Sequence, residues 1–221
     1  MTPGYFVELL SMAPKSPNVF NPWADVDPDN DKSEGSPLLR KKNLTDFLES
    51  RKESARVIIF GEALGYQGGH FSGIAMTSER ILLGNHKEIP PHAIIPNTVF
   101  ERTSSAHIKP TGFNEPTASV VWSEAISAGL ASQIVTWNAF PWHPYSAPYL
   151  TNRTPTREEL LRGKMFISYL KEMFPRCIFL AMGNKSAGIL TDMGFKYTAV
   201  RHPAYGGAAD YRKQFRAAMG L

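Results

Sequence analysis

Four short apolar segments, separated by stretches with helical periodicity, constrain the fold of this chain most. They cover residues 56–60, 133–137, 177–181 and 196–200. β-branched and aromatic residues dominate them, and their apolar character is nearly continuous rather than alternating. Continuous apolar strands are typical of a parallel sheet that is covered on both faces. We therefore predict an α/β fold, a three-layer α/β/α sandwich around a short, mainly parallel, four-stranded sheet.

Helices are predicted around these strands from apolar spacing and from start and stop signals. The predicted helices cover residues 5–12, 37–51, 117–130, 156–174, 184–193 and 211–218. The helix over residues 156–174 has two candidate start signals, Thr154-Pro155 or a capping box of Thr156 and Glu159, and Pro175 ends it. Residues 87–115 are rich in proline and lack periodicity. At 221 residues, we expect a single domain over residues 1–221, with residues 1–50 as an extension of loop and helix packed on it.

Composition excludes several classes of protein. A single cysteine, Cys177, rules out an internal disulfide and a cysteine-rich metal or iron–sulfur site, and we expect a buried structural thiol. No segment approaches the ~20 apolar residues that span a bilayer, and the N-terminus lacks a signal-peptide pattern. We expect an intracellular, cytoplasmic monomer. The net charge of +4 is compatible with a polyanionic partner and equally with an ordinary enzyme.

Polar clusters follow three of the four predicted strands. Gly61–Gly73 follows the first strand, Asn138–Tyr145 the second, and His202–Gly207 the fourth. Ligands of open parallel sheets bind at the carboxyl ends of the strands. The three clusters are therefore predicted to meet at one edge of the sheet.

Two of these clusters resemble the signature motifs of the uracil-DNA glycosylase superfamily, G-E-A-P-G…P-F-x-G and H-P-[SA]. The first runs from Gly61 to Gly65 and on to Phe71-Ser72-Gly73, with Leu64 in place of the usual proline; the second begins at His202. The resemblance covers roughly residues 55–216. It implies a monofunctional DNA glycosylase of the cluster-free kind, which hydrolyses the bond between a damaged base and its sugar without a lyase step, a metal or a cofactor.

The resemblance assigns the catalytic roles to Glu62 and His202. Base loss passes through a cationic sugar, so a carboxylate can orient the attacking water and stabilise the positive charge. A histidine can donate to the base oxygen where negative charge accumulates. Structural alternatives remain for both: Glu62 as a cap that bonds loop amides, and His202 as a histidine that is simply held by hydrogen bonds.

The predicted base site is built from the same two loops and from Asn138. Phe71 corresponds to the aromatic residue that stacks on the extruded base, and Asn138 to the amide that reads the uracil edge. A core phenylalanine and a turn-forming asparagine are the structural alternatives. The other base-binding residues predicted are Gly61, Ala63, Tyr66 and Gln67; the last two occupy the region that rejects the methyl group of thymine.

Contacts with DNA are predicted around the second motif. Tyr205 and Gly206 fit a loop that enters the duplex and fills the gap left by a flipped nucleotide. Arg201, Arg212 and Lys213 flank this loop and could hold phosphates. A solvated basic helix face explains Arg212 and Lys213 equally well.

The predicted function is release of uracil from single- or double-stranded DNA after base flipping, as a step of DNA-damage repair. An amide can read several base edges, so a glycosylase for hypoxanthine or xanthine is an alternative. A non-catalytic module that binds a flipped base is another, and an enzyme that acts on free nucleosides or nucleotides is a third.

Overall fold

The structure, a computed structural model, describes all 221 residues. The helices are α1 (Pro3–Ser11), α2 (Ser36–Glu49), α3 (Gly69–Ser72), α4 (Glu79–Leu82), α5 (Pro91–Ile94), α6 (Pro116–Ser127), α7 (Arg157–Met173), α8 (Asn184–Asp192) and α9 (Ala208–Met219). The strands are β1 (Val19–Phe20), β2 (Val57–Ala63), β3 (Ile134–Phe140), β4 (His143–Pro144), β5 (Ile178–Met182) and β6 (Thr198–Val200).

A parallel sheet of four strands, in the order β3-β2-β5-β6, forms the centre of the molecule. Helices surround it: α7 packs on β3, α8 on β5 and β2, and α9 on β6. The predicted α/β class with a four-stranded parallel sheet is confirmed. The small antiparallel pair β1–β4 was not predicted.

Two strands extend further than the sequence predicted. Strand β2 continues through Gly61, Glu62 and Ala63, and β3 runs on past Asn138. The cause is parallel pairing between the two strands. Gly61 is in register with Asn138, and Ala63 is in register with Phe140. Backbone pairing of this kind overrides the turn preference of glycine and asparagine. The prediction that Glu62 lies past the end of its strand is therefore wrong, and Asn138, predicted at a strand end, lies within β3.

Most helices lie close to the predicted positions. The capping box at the start of α7 is confirmed, since the side chains of Thr156 and Glu159 each accept a hydrogen bond from the other residue's backbone N–H. Gly163 lets α7 approach the sheet closely, because a Cβ atom there would collide with the carbonyl oxygen of Ala139. The short helices α3, α4 and α5 were missed because four residues are too few to show a helical period.

The first 50 residues supply a substantial part of the hydrophobic core. Phe6 of α1 packs against Trp137 of β3, with ring centroids 5.1 Å apart. Trp23 and Phe47 are fully buried in the same cluster. Arg40 is also buried and forms a two-point ion pair with Asp31, whose two contacts measure 2.6 and 3.0 Å.

A chain of buried polar groups connects this N-terminal part to the loop after β4. His70 Nε2 lies 3.1 Å from Asp27 Oδ2, and His70 Nδ1 lies 2.9 Å from His143 Nδ1. His143 Nε2 contacts the carbonyl oxygen of Thr151 at 2.8 Å. Asp27 and both histidines are fully buried. The chain therefore fixes the start of the loop that holds residues 145–156.

Two further observations concern the composition. Cys177 is buried, as predicted, and burial raises the pKa of its thiol to about 11. None of the helices combines the length and the apolar character needed to cross a bilayer.

Candidate functional site

A cleft of about 740 Å³ opens at the carboxyl ends of the parallel strands. Glu62 lines it from the end of β2, Met182 and Gly183 from the end of β5, and His202 from the loop after β6. The other walls come from the loop after β2, the start of α6 and the loop before α7. This is the edge of the sheet at which the polar clusters were predicted to meet.

Glu62 is half-buried at the inner end of this cleft. It lies second from the end of β2, where backbone pairing to β3 holds its Cα in place. Its carboxylate makes no hydrogen bond to a backbone amide, so Glu62 does not cap the following loop. The carboxylate is thus free to contact a water or a ligand in the cleft.

His202 lies in the same cleft and is more than half-buried. Its Nδ1 accepts a hydrogen bond from the backbone N–H of Ala204 at 3.1 Å. Burial, and secondarily the positive charge of Arg201, lowers the pKa of the imidazole from its ordinary value of 6.5. A neutral imidazole whose Nδ1 accepts must carry its proton on Nε2. His202 therefore has a donor available for a ligand.

Tyr205 projects from the rim of the cleft and is 100% exposed. Its backbone is in the left-handed region, with φ of 53°, and Gly206 follows with φ of 78°. A left-handed conformation costs a residue with a side chain roughly 1–2 kcal/mol. The turn is closed at Gly207, where a Cβ atom would collide with the carbonyl oxygen of His202. A strained backbone conformation thus holds one exposed aromatic ring beside the cleft.

The basic residues near this turn differ in their surroundings. Arg201 is exposed and lines the cleft, and its backbone N–H donates to Gln214 Oε1 at 2.6 Å. Arg212 is directed to the buried carboxylate of Glu124, with Nε 3.6 Å from Oε2. Lys213 is exposed on α9 and does not line the cleft.

Asn138 is buried, with 3% of its surface exposed, and it does not line the cleft. Its amide group stands 2.5 Å from the point that a Cβ atom on Gly61 would occupy, so only glycine fits at that position. In the orientation that satisfies both neighbours, the amide donates to the carbonyl of Trp137 at 3.2 Å and accepts from the N–H of Leu64 at 3.3 Å. Both ends of the amide are thus engaged within the protein.

Phe71 is fully buried in α3 and also lies outside the cleft walls. One face of its ring stacks on Phe113, with centroids 4.2 Å apart and planes at 17°. The edge of His70 packs against it at 4.4 Å. Phe113 in turn lines a second cavity of about 370 Å³, together with Tyr66 and Gln67. Gln67 lines both cavities, so they are neighbours.

Glu115, which the sequence did not single out, is a second carboxylate in the cleft. It precedes Pro116, the first residue of α6, and its side chain lies directly over Gly68. A Cβ atom on Gly68 would collide with the Glu115 carboxylate. Burial raises the pKa of Glu115 to about 7. An acidic residue next to a helix-starting proline was the only signal in the sequence.

The loop before α7 contributes two further cleft residues that the sequence did not indicate. Asn152 accepts a hydrogen bond from the backbone N–H of Tyr66 at 3.1 Å through Oδ1. Arg153 forms a two-point ion pair with Glu159, with contacts of 2.7 and 2.6 Å. The Asn152 contact joins this loop to the loop after β2, so both walls of the cleft are tied together.

Some of the predicted site residues thus line the cleft, and the others lie outside it. The predicted residues that line the cleft are Glu62, Ala63, Gln67, Arg201, His202 and Tyr205. Those outside its walls are Gly61, Tyr66, Phe71, Asn138, Gly206, Arg212 and Lys213. No group of three or more His, Cys, Asp or Glu side chains is placed to hold a metal ion.

Comparison with solved structures gives a match over the whole chain. The fold is similar to that of wild-type SMUG2 from Pedobacter heparinus, a crystal structure, with a TM-score of 0.62. The match covers 100% of this chain and 97% of that chain, at 15% sequence identity. No protein-family model and no curated protein sequence matches this chain. The fold is therefore shared with SMUG2, while the sequences have diverged far.

Proposed function

We propose that this protein is a DNA glycosylase that hydrolyses the N-glycosidic bond of uracil or another deaminated base. The observation that carries the proposal is the juxtaposition of Glu62 and His202 in one cleft whose rim exposes Tyr205. The fold adds support, because SMUG2 is a DNA glycosylase of the uracil-DNA glycosylase superfamily. The two motifs that resemble this superfamily supply the cleft residues.

In this proposal the two cleft groups act on opposite sides of the breaking bond. The Glu62 carboxylate orients a water toward C1′ of the sugar and stabilises the positive charge that develops there. The bond from C1′ to the base nitrogen breaks, and its electron pair leaves with the base. The Nε2–H of His202 donates to the base oxygen on which that charge accumulates. A donor of this kind lowers the barrier by about 3–4 kcal/mol.

The cleft also favours hydrolysis without a lyase step. A lyase needs an amine that attacks C1′ and forms a Schiff base with the sugar. No lysine is among the residues that line the cleft. Water is then the nucleophile, and the products are the free base and an intact strand with an abasic site.

Access to the base requires that it leave the duplex. A glycosidic bond inside stacked DNA is out of reach of an enclosed cleft, so the nucleotide must be extruded. In this proposal the exposed ring of Tyr205 would occupy the vacated space in the stack, and the side chain of Arg201 would contact a flanking phosphate. The net charge of +4 is compatible with a polyanionic partner.

A base pocket further inside would be formed beside the Phe71–Phe113 stack. Phe113 lines the neighbouring cavity, where Tyr66 and Gln67 also lie. An extruded base in that cavity would contact Phe113 rather than Phe71, which lines neither cavity and supports Phe113 from behind. Asn138 lines neither cavity and is buried, so reading of the base edge by its amide would require the surrounding groups to open.

A panel of labelled oligonucleotides tests the proposal. Each carries one uracil, hypoxanthine, xanthine or thymine, in single- and double-stranded form, and abasic sites are revealed by hot alkali. We expect strand breaks at uracil, and none without alkali, since there is no lyase step. Cleavage at hypoxanthine or xanthine but not at uracil would show that this base, rather than uracil, is the substrate. Binding without cleavage of any substrate would leave a base-binding module, and activity on free deoxyuridine with little salt dependence would indicate a nucleoside enzyme.

A further inference from the structure

We propose that Glu115 contacts the edge of the extruded base and reads it through its carboxyl group. This inference rests on the proposed function for the presence of a base in the cleft. It assigns a base-reading role to a residue from the segment before α6, outside both sequence motifs.

The position of Glu115 is built into the fold. Its carboxyl group lies over Gly68, at the N-terminal end of the short helix that carries Phe71. Any side chain at Gly68 would displace that carboxyl group. Glu115 therefore lines the same cleft as Glu62 and His202 and lies against the start of the helix that carries Phe71.

The carboxyl group is available to a ligand. Glu115 is half-buried and makes neither a hydrogen bond nor an ion pair with the protein, although it lines the cleft. Asn138, in contrast, has both ends of its amide engaged by Trp137 and Leu64. Of these two polar side chains, Glu115 is the one that lines the cleft and whose polar atoms have no partner within the protein.

A neutral carboxyl group has the hydrogen-bonding pattern that this role requires. Its O–H donates and its carbonyl oxygen accepts, which matches O4 and N3–H of uracil and the equivalent pair of hypoxanthine. An ionised carboxylate offers two acceptors and repels a carbonyl oxygen. Burial raises the pKa of Glu115 to about 7, so the neutral form is populated at mildly acidic and neutral pH. A neutral group also avoids repulsion of DNA phosphates.

Binding to uncleavable duplexes tests the assignment without relying on turnover. Each duplex carries a 2′-fluoroarabino nucleotide, whose fluorine opposes formation of the cationic sugar. One holds uracil and the other N3-methyluracil, which keeps the ring and lacks N3–H. We expect the protein to bind the uracil duplex roughly 10- to 100-fold more tightly at pH 6, the range for one two-point contact with a base edge. The preference should shrink at pH 8.

Two substitutions separate this role from a structural one. Glu115→Gln supplies a neutral donor and acceptor at every pH, so it should keep the preference and lose the pH dependence. Glu115→Ala should lose the preference at both pH values. Glu158→Gln, on the exposed first turn of α7, is the matched control and should behave as the unchanged protein.

The outcomes are distinct from those for the proposed function. A preference for uracil that survives Glu115→Ala, or that is absent from the unchanged protein at pH 6, overturns the role of Glu115. A preference with the expected pH pattern, in a protein that cleaves none of the cleavable duplexes, supports Glu115 as the reading group and overturns the glycosylase. Loss of the preference in both variants at both pH values overturns reading by a neutral carboxyl group.

Discussion

His202 accepts a hydrogen bond from the backbone N–H of Ala204, and the two nitrogen atoms are 3.1 Å apart. This contact fixes the tautomer, because an Nδ1 that accepts leaves the proton of the neutral ring on Nε2. Burial reinforces it by lowering the pKa of His202 below 6.5. A backbone contact two residues along the chain thus decides which nitrogen of the His202 ring can donate.

Replacing His202 should slow the chemical step and leave DNA binding unchanged. We expect His202→Asn to lower kcat by roughly 10²- to 10³-fold, the usual effect of losing one donor to a developing anion. Single-turnover cleavage of a uracil duplex, with a binding titration alongside, measures both quantities. His92→Asn, at an exposed position in α5, is the control. A loss of DNA affinity of that size, with kcat unchanged, would contradict this role.

The turn at Tyr205 predicts opposite effects on stability and activity. Tyr205→Gly removes the left-handed strain, so the free energy of unfolding should rise by ~1 kcal/mol. Cleavage of duplex substrate should fall, because no ring fills the gap, whereas single-stranded substrate should be cleaved as before. Urea denaturation and the two cleavage rates check this.

Tyr205→Ala separates the two effects, since it keeps the strained backbone and removes the ring. It should lose duplex activity without gaining stability. Equal losses on single strands and duplexes, in either variant, would remove the duplex-entering role of the turn.

The buried chain from Asp27 through His70 to His143 should contribute strongly to stability. Asp27→Ala leaves the buried donors of Asn30 and His70 without their acceptor, and each buried donor left unpaired costs about 1–3 kcal/mol. The exposed Asp29→Ala should change the free energy of unfolding by less than about 0.5 kcal/mol. Urea denaturation of both variants measures the difference; equal stabilities would contradict the importance of the chain.

The pKa of Glu115 has a consequence for stability that is independent of activity. The carboxyl group is protonated up to about pH 7 in the folded chain, against an ordinary value of 4.5. Between these values the folded state binds more protons than the unfolded state, so the free energy of unfolding falls as pH rises from about 4.5 to 7. Glu115→Gln lacks this dependence and should gain stability over the unchanged protein between pH 5 and pH 8. If the two proteins differ in free energy of unfolding by the same amount at every pH in that range, the pKa of Glu115 is not raised.

The sequence was sufficient to predict the sheet and the edge at which the cleft lies. Continuous apolar strands and the carboxyl-end rule depend on local patterns, and the structure agrees with both. The ends of β2 and β3 were not predictable in the same way. Gly61 and Asn138 favour turns when they are considered alone, and only their pairing with each other keeps both in strands.

The features that the sequence did not predict depend on contacts between distant segments of the chain. Glu115 reaches the cleft because its segment folds over Gly68, and nothing in the irregular stretch before α6 indicates that approach. His70 and His143 are 73 residues apart in the chain and meet only in the folded core. Contacts of this kind have no periodic or motif signal in a single sequence.

In the proposed mechanism, Glu62 activates water in a cleft that holds an extruded deaminated base. Single-turnover cleavage of a uracil-containing duplex by the unchanged protein and by Glu62→Gln tests it most directly, with affinity for the uncleavable duplex measured in parallel. We predict cleavage by the unchanged protein, a loss of at least roughly 10²-fold in the variant, and equal affinities. Equal cleavage by both proteins, or no cleavage by the unchanged protein on any deaminated base, would contradict the account.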